Sequence, residues 1–403
     1  MLRNFKNFFH LLEAIAANIV YGFPSRKLKI LAITGTDGKT TTSTLLYHFL
    51  HAAGKKVALI STVAAFIGND EIDTGFHVTN PSPFALQKLL ARTVREHVEY
   101  VVLEVTSHGI DQYRNWGITP ELAAITNVTH EHLDYHKTFD AYLQTKARLL
   151  LSSKHAFINK DASDSYEKLR GLLESSEKVY SNVQAHELSS SLAKATRKRF
   201  GEEEYNFENV ALAVSMAKYL GIDDRLLAKA IKTFSGVKGR MESVQNVVGI
   251  SIIVDFAHTP NALKRALLSV RSKMKKEKIS GRLILVFGSA GQRDVTKRPL
   301  MGKVACELAD IAVFTAEDPR NEDIWTIINQ MKSGVVVGHD KIVSIADRFE
   351  AIRFALTKLA TKGDTVLITG KGHEQSMNIG GVEYNWSDAK AVEKVLAGQD
   401  TFS

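Results

Sequence analysis

The stretch Thr34-Gly-Thr-Asp-Gly-Lys-Thr-Thr-Thr42 sets two glycines, a lysine and a run of hydroxyls directly behind an apolar segment. Those residue types suit a phosphate. Gly35 and Gly38, with Thr36 and Asp37 between them, let the backbone approach it closely, and a helix opening at Lys39 presents free N–H groups. Lys39 can neutralise the terminal phosphates and the Thr40 hydroxyl can ligate Mg²⁺, with Thr41 next in the turn. The spacing Gly-x-x-Gly-Lys-Thr is shorter than the usual phosphate loop, yet its strand-before, helix-after context reads as a nucleotide site. Glu104 closes another apolar run, where a carboxylate either meets a ligand or caps the following helix. Residues 129–136 pack His130, Glu131, His132, Asp134 and His136 together. Such oxygen and imidazole groups can hold Mg²⁺ or Zn²⁺, or can form a polar loop of hydrogen-bonded histidines.

These groups need a scaffold that brings several chain segments to one edge. Short Val- and Ile-rich runs at 27–34, 99–106 and 122–128 read as strands, with a helix from Lys39 to about Ala53. A second series begins at 251, 282, 310 and 364, each run followed by a helix-period stretch. Such alternation predicts an α/β chain with parallel, doubly wound sheets. A helical region at 205–234 separates the series and ends in Phe-Ser-Gly-Val-Lys-Gly at 234–239, the expected domain boundary. No short-period repeat is present, which excludes a solenoid.

Length and composition agree with two or three globular domains. The 403 residues are 44% hydrophobic and 24% charged, with seven prolines and a single cysteine, Cys306, in apolar surroundings. Disordered, collagen-like and disulfide-framework classes are excluded. No apolar run is long enough to span a membrane. The aromatic N-terminal segment carries Asn4, Asn7, His10 and Glu13 and lacks the form of a signal peptide, so a cytoplasmic location is expected. Net charge is +8, which attracts anions. The basic residues are fairly dispersed, and the densest run, at 271–278, reads as a solvated helix end without interleaved aromatics. A DNA-binding ATPase would rest on the charge alone, and nucleic acid is not expected as a partner.

GTDGKTTT, EVTSHGIDQYR, TNVTHEHLDYHKTFDAYLQTKARL, GRMESV, VDFAHTPNAL, VFGSAGQRDVTKRPLMG, EDPR and GKGHE follow one another in the order found in the Mur ligases. The chain resembles that family from about residue 27 to 390, and looks most like its muramyl-tripeptide synthetase branch. The resemblance implies a central P-loop ATPase domain on a parallel sheet, at 27–236. A smaller Rossmann-like α/β domain at 237–403 would bind the incoming amino acid, behind an amphipathic lead at 1–26. It also implies ATP-dependent amide formation through an acyl phosphate in peptidoglycan precursor synthesis. By position, Lys39 and Thr40 serve the ATP phosphates. Glu104, His132 and a carbamylated Lys146 join Thr40 in supporting two Mg²⁺ ions. Read from the residues alone, Lys146 is an exposed helical lysine. Thr79, Thr106, Gln112 and Arg114 fall where the family holds the muramyl-peptide acceptor. Asn206 and Asn209 match a pair near the nucleotide, and Arg240, Asp255 and His258 match residues facing ATP. Arg293, Glu317, Asp318, Pro319, Arg320, Gly370 and Glu374 match positions that bind meso-diaminopimelate. An arginine fork suits its distal carboxylate and an acidic partner its amino group.

Departures from the family pattern shape four further expectations. Asp318 stands where the branch usually has Asn, adding a negative charge that works against diaminopimelate. Only some 26 residues precede the first strand, whereas the branch carries an N-terminal uridine-gripping domain of about a hundred residues. The acceptor is then held without uridine recognition, or a partner chain supplies the missing domain. The segment 159–206 is short, which implies lost peripheral strands, and Thr79-Asn80-Pro81 replaces Thr-Thr-Pro. Phe5, Phe8, Phe9, Leu12 and Ile15 are expected to pack as a helix over the vacated surface. The other reading of that helix is a membrane-surface anchor with Arg3 and Lys6. Two rivals in function are a cyanophycin- or polyglutamate-type ligase and an inert binding module, the second opposed by the intact Lys39, Glu104, His132 and Lys146.

Overall fold

The computed structural model describes residues 2–72, 81–129 and 133–402, with the backbone alone for 2–5, 133–134 and 163–164. The chain forms two compact units, Met1–Ser235 and Gly236–Ser403. The first is built on eight strands: β1 (Lys29–Thr34), β2 (Val57–Ile60), β3 (Ala65–Ile67), β4 (Asp70–Ile72), β5 (Tyr100–Glu104), β6 (Leu122–Ile125), β7 (His155–Asn159) and β8 (Tyr180–Val183). Their order is β4-β3-β2-β5-β1-β6-β7-β8, parallel from β2 to β8 with β3 and β4 antiparallel at one edge. Central strands covered on both faces have no polar alternation, and Ile30 to Thr34 of β1 are all buried.

Three neighbouring strands decide where the chemistry sits. β5, β1 and β6 lie side by side, with Ile33 opposite Glu104 and Thr34 opposite Ile125. Their carboxyl ends therefore release Glu104, the glycine-rich loop and Thr126–Asn127 at one edge, the usual ligand edge of an open α/β sheet. The strand expected at 27–34 begins only at Lys29, because Pro24–Lys27 forms a 3₁₀ turn and the proline fixes its φ there.

Six helices flank this unit's working edge: α1 (Leu2–Tyr21), α2 (Lys39–Ala52), α3 (Pro83–Arg95), α4 (Ser107–Asp111), α5 (Leu133–His136) and α6 (Phe139–Ser152). α1 lies along α3. Its packed face is not the aromatic one expected: Ala14, Ala17 and Asn18 are buried, while Phe8, Phe9 and Leu12 remain exposed. The small side chains allow the close approach, and the Asn18 amide donates to the carbonyls of Trp116 and Ala14, both at 2.9 Å. Ile15 is half-buried. Two further helices, Glu204–Tyr219 and Asp224–Thr233, occupy the region read as helical before the boundary.

The second unit repeats the layered design. Its strands are β9 (Glu242–Val244), β10 (Ser251–Asp255), β11 (Leu283–Phe287), β12 (Ile311–Phe314), β13 (Ile342–Ser344) and β14 (Thr365–Thr369). They run β13-β12-β11-β14-β10-β9, parallel except for β9. Two cores cover the sheet: Leu283, Leu285 and Phe287 belong to one, Ile284 and Val286 to the other. Cys306 is buried in the first. A hairpin, β15 (Ser376–Ile379) with β16 (Val382–Asn385), follows β14. The basic run at 271–278 closes the helix Pro260–Lys276, with Lys273, Lys275 and Lys276 in its last turn, where cations suit the helix dipole.

Candidate active site

The glycine-rich loop turns sharply between β1 and α2. Gly35 has φ +147° and Gly38 φ +79°. A Cβ at Gly35 would fall 1.8 Å from the Thr126 hydroxyl, and one at Gly38 2.2 Å from the Asn209 amide oxygen. Only glycine fits both places. The loop is further pinned from β6: Thr36 N–H donates to the Asn127 carbonyl at 2.9 Å, and Asp37 N–H to Asn127 Oδ1 at 3.0 Å. Its centre stays open, because Gly38 caps α2 without a side-chain hydrogen bond. Among the described residues no side chain accepts from the first amide groups of α2, the arrangement that receives an anion.

Charged and hydroxyl groups converge around that opening. Lys39 Nζ donates to the Thr36 carbonyl at 2.9 Å, folded across the loop. The buried Thr40 hydroxyl donates to Glu104 Oε1 at 3.0 Å, and Thr62 N–H to Glu104 Oε2 at 3.1 Å. A hydroxyl and a carboxylate so placed are hard oxygen donors that fit Mg²⁺. Lys146 is buried, not the exposed helical lysine its local sequence suggested. It extends from α6 so that Nζ donates to the Gly35 carbonyl at 2.5 Å and lies 4.6 Å from the Tyr142 ring centre. Asn209 accepts from the Thr42 hydroxyl at 3.2 Å, and Asn206 lies one turn earlier on the same helix, half-buried. Thr41 is half-buried in the first turn of α2. His132 and Thr79 lie outside the described residues, as do His130 and Glu131.

A second group sits beyond β5. Thr106 caps α4 by accepting from Gly109 N–H at 3.0 Å. Gln112 accepts from Arg114 Nε at 3.0 Å. Burial lowers the pKa of the Arg114 guanidinium, with Glu13 of α1 acting the other way. Their organiser is Asp111, which accepts from Tyr135 at 2.8 Å, from Asn7 at 3.0 Å and from Arg148 at 3.4 Å. Asp111 lies inside the motif EVTSHGIDQYR, but a lone aspartate between Ile110 and Gln112 has no distinguishing spacing in the sequence.

In the second unit, Glu317, Asp318 and Glu374 gather around Lys371. Its ammonium is fully buried, 2.8 Å from Asp318 Oδ1 and 2.5 Å from Glu374 Oε2. The charge added at Asp318 is thus offset within the protein. Burial pushes the Glu317 carboxyl up to about 7, against the pull of Lys297 and Lys371. Glu317 Oε2 has no hydrogen-bond partner among the described residues. It faces Gly370, where a Cβ would lie 3.1 Å away. Arg320 adopts φ +53°, a conformation costly for a side-chain-bearing residue. It is held there by its N–H to the Asn378 carbonyl at 3.0 Å and by Gly380 N–H to its own carbonyl at 2.7 Å. The buried Pro319 precedes it, whereas Arg293 stays exposed on a neighbouring loop. Lys371 is the residue that spacing missed, although it stands inside GKGHE.

A separate cluster forms where β10 ends. Asp255 accepts from Met241 and Ala257 N–H, both at 2.8 Å, and burial raises its carboxyl while Arg240 opposes this. Arg240 lies 4.5 Å over the Phe256 ring. His258 shares a 2.9 Å hydrogen bond with the Phe256 carbonyl, and burial lowers its ring to about 4. His258 is thus neutral at physiological pH.

Comparison with known proteins adds relatives to this geometry. Residues 33–218 match the Mur ligase middle domain and 239–372 the Mur ligase, glutamate ligase domain. A UDP-N-acetylmuramoyl-L-alanyl-D-glutamate–2,6-diaminopimelate ligase from Parabacteroides distasonis is 36% identical, over 94% of this chain and 80% of the relative. Its counterpart from Cytophaga hutchinsonii is 37% identical, over 96% and 81%. A solved structure of such a ligase superposes with a TM-score of 0.59 at 30% identity, covering 92% of this chain and 78% of that one. Folylpolyglutamate synthase from Mycobacterium tuberculosis, complexed with ADP and AMPPCP, gives 0.70 at 15% identity, covering 97% and 96%; that likeness concerns the fold.

Proposed function

The chain belongs to the Mur ligases, and from that premise we propose that it joins an amino acid to a muramyl-dipeptide-type acceptor at the expense of ATP. The amino acid is diaminopimelate, in its meso form; 2,6-diaminopimelate is named in the 34–37% identical relatives. One observation carries the reading: Lys39, the Thr40–Glu104 pair and Lys146 all converge on one glycine turn beside an uncapped helix start.

In the first step the acceptor carboxylate attacks the terminal phosphoryl group in line, forming an acyl phosphate as ADP departs. Lys39 and the loop amides hold the phosphate charge during transfer. Thr40 and Glu104 would hold Mg²⁺, which would neutralise further phosphate charge, and by the family's pattern His132 and a carbamylated Lys146 would support a second ion. In the second step the amino group attacks the acyl carbon and inorganic phosphate leaves. Thr106, Gln112 and Arg114 hold the acceptor, with Thr79 in the same role. Asn206 and Asn209 bind the nucleotide, and by the family's pattern Arg240, Asp255 and His258 serve ATP as well. Arg320 and Arg293 take the distal carboxylate of the amino acid, while Glu317 and Glu374 face its ammonium group. The testing experiment measures ADP release with a panel of amino acids and muramyl acceptors, with and without the uridine diphosphate group. Diaminopimelate-dependent release supports the assignment. A preference for glutamate would favour the polyglutamate-type alternative.

Glu317 adds a pH signature. Its carboxyl titrates near 7 in the free protein, so the carboxylate that attracts an ammonium group is lost as pH falls below that value. KM for the amino acid is expected to rise about tenfold between about pH 8 and pH 6 with kcat less affected. Glu317→Gln should flatten the profile. A wild-type KM that stays level across that range removes Glu317 from amino-group recognition.

A further inference from the structure

The outer side of α1 is apolar along its length. Phe8, Phe9, Leu12, Ile19 and Val20 are 46–67% exposed, and Ala16 between them is exposed too. Their spacing of four, eight and eleven residues places them on one face. Glu13 borders it, partly exposed and 3.9 Å from His10, and also acts on Arg114. Single exposed apolar residues need no explanation, but a continuous face does.

The same region is net basic. Pairing of α1 with α3 brings residues 2–27 and 83–95 together. These segments hold Arg3, Lys6, Arg26, Lys27, Lys88, Arg92 and Arg95 against Glu13; with the two carboxylates that pair with Arg92 counted, seven minus three gives +4. Arg92 is paired with Asp70 and Glu96, whereas Lys6, Arg26, Lys27, Lys88 and Arg95 are exposed. Exposed cations on α1, on the turn that follows it and on α3 thus accompany the apolar helix face. That combination fits the boundary of an anionic bilayer, where apolar side chains enter the headgroup layer and each nearby cation adds attraction.

We propose that α1 seats the protein on an anionic membrane surface. Among the described residues no helix is long and apolar enough to cross a membrane, so the contact is peripheral. It also has a direction. Asn7 of α1 donates to Asp111, and Asn18 to the Trp116 carbonyl, which ties the helix to the segment bearing Gln112 and Arg114. Seating α1 sets that segment behind the helix, on the side away from the headgroups. The inference stands on the helix and its charge and does not depend on the reaction assigned above.

Cosedimentation of the full chain with vesicles of phosphatidylcholine, alone or mixed with phosphatidylglycerol, tests it. Binding is expected to the mixed vesicles only, to weaken with added salt, and to fall at least about tenfold in Leu12→Glu and in Lys6→Glu/Lys88→Glu. ADP release on a soluble acceptor should stay at the wild-type level in both variants, which shows that they fold. Absence of binding to mixed vesicles, equal binding to neutral ones, or binding unchanged in Leu12→Glu overturns the proposal. So does a concentration-dependent dimer that Leu12→Glu dissolves without any vesicle binding, which would give the face to a second copy.

Discussion

Lys39→Ala is expected to lower the rate of ADP-forming ligation by about 10³-fold while leaving the fold intact. Lys39 begins α2 at a helix start that no side chain caps, and its ammonium spans the glycine turn to the Thr36 carbonyl at 2.9 Å. A cation in that place counters phosphate charge both before and during transfer, so its loss weakens nucleotide binding and slows the transfer itself. Structurally it contributes one half-buried hydrogen bond, whereas the turn is fixed by Asn127 and Thr126 from β6. The variant should therefore unfold at nearly the wild-type temperature. Coupled ADP release at saturating ATP, read beside a thermal melt, makes the comparison. Wild-type turnover in a folded Lys39→Ala protein would remove the loop from phosphoryl transfer.

How far the sequence reached depends on whether a property was local. Gly35, Gly38 and Lys39 act within a single turn, so spacing alone conveys their purpose, and strand runs such as 283–287 announce a sheet covered on both faces. Lys146 is different. Its neighbours Gln144, Thr145 and Ala147 give a polar-looking helix segment, and only the packing of α6 against the end of β1 buries it on Gly35. Asp111 and Lys371 were hidden in the same way, since their partners lie up to 104 and 53 residues away. The aromatic face of α1 was misjudged for a related reason. Apolar periodicity announces a helix with a face to bury, but it does not say which neighbour receives it. Here the smaller Ala14–Ala17 side of α1 makes the close contact.

Lys146→Ala carries the second large effect, a loss of about 10²–10³-fold in ligation, and it separates two functions of one side chain. In the structure the ammonium lies 2.5 Å from the Gly35 carbonyl, where as a cation it anchors the phosphate loop. Carbamylation of the ammonium consumes carbon dioxide, releases two protons and leaves a carboxylate-like anion, reversing the sign of the charge at the loop. An anchoring cation and a metal-supporting anion both fail in Lys146→Ala, so that variant alone does not distinguish them. Bicarbonate does. If Lys146 is carbamylated, wild-type activity falls after removal of carbon dioxide and returns with bicarbonate, and native mass measurement shows about 44 Da added. Small carboxylic acids should then partly restore Lys146→Ala, whereas small amines should not. If the cation is the working form, bicarbonate has no effect and amines restore activity instead. A folded Lys146→Ala protein with normal turnover would exclude both, leaving the buried lysine with a packing role on Tyr142.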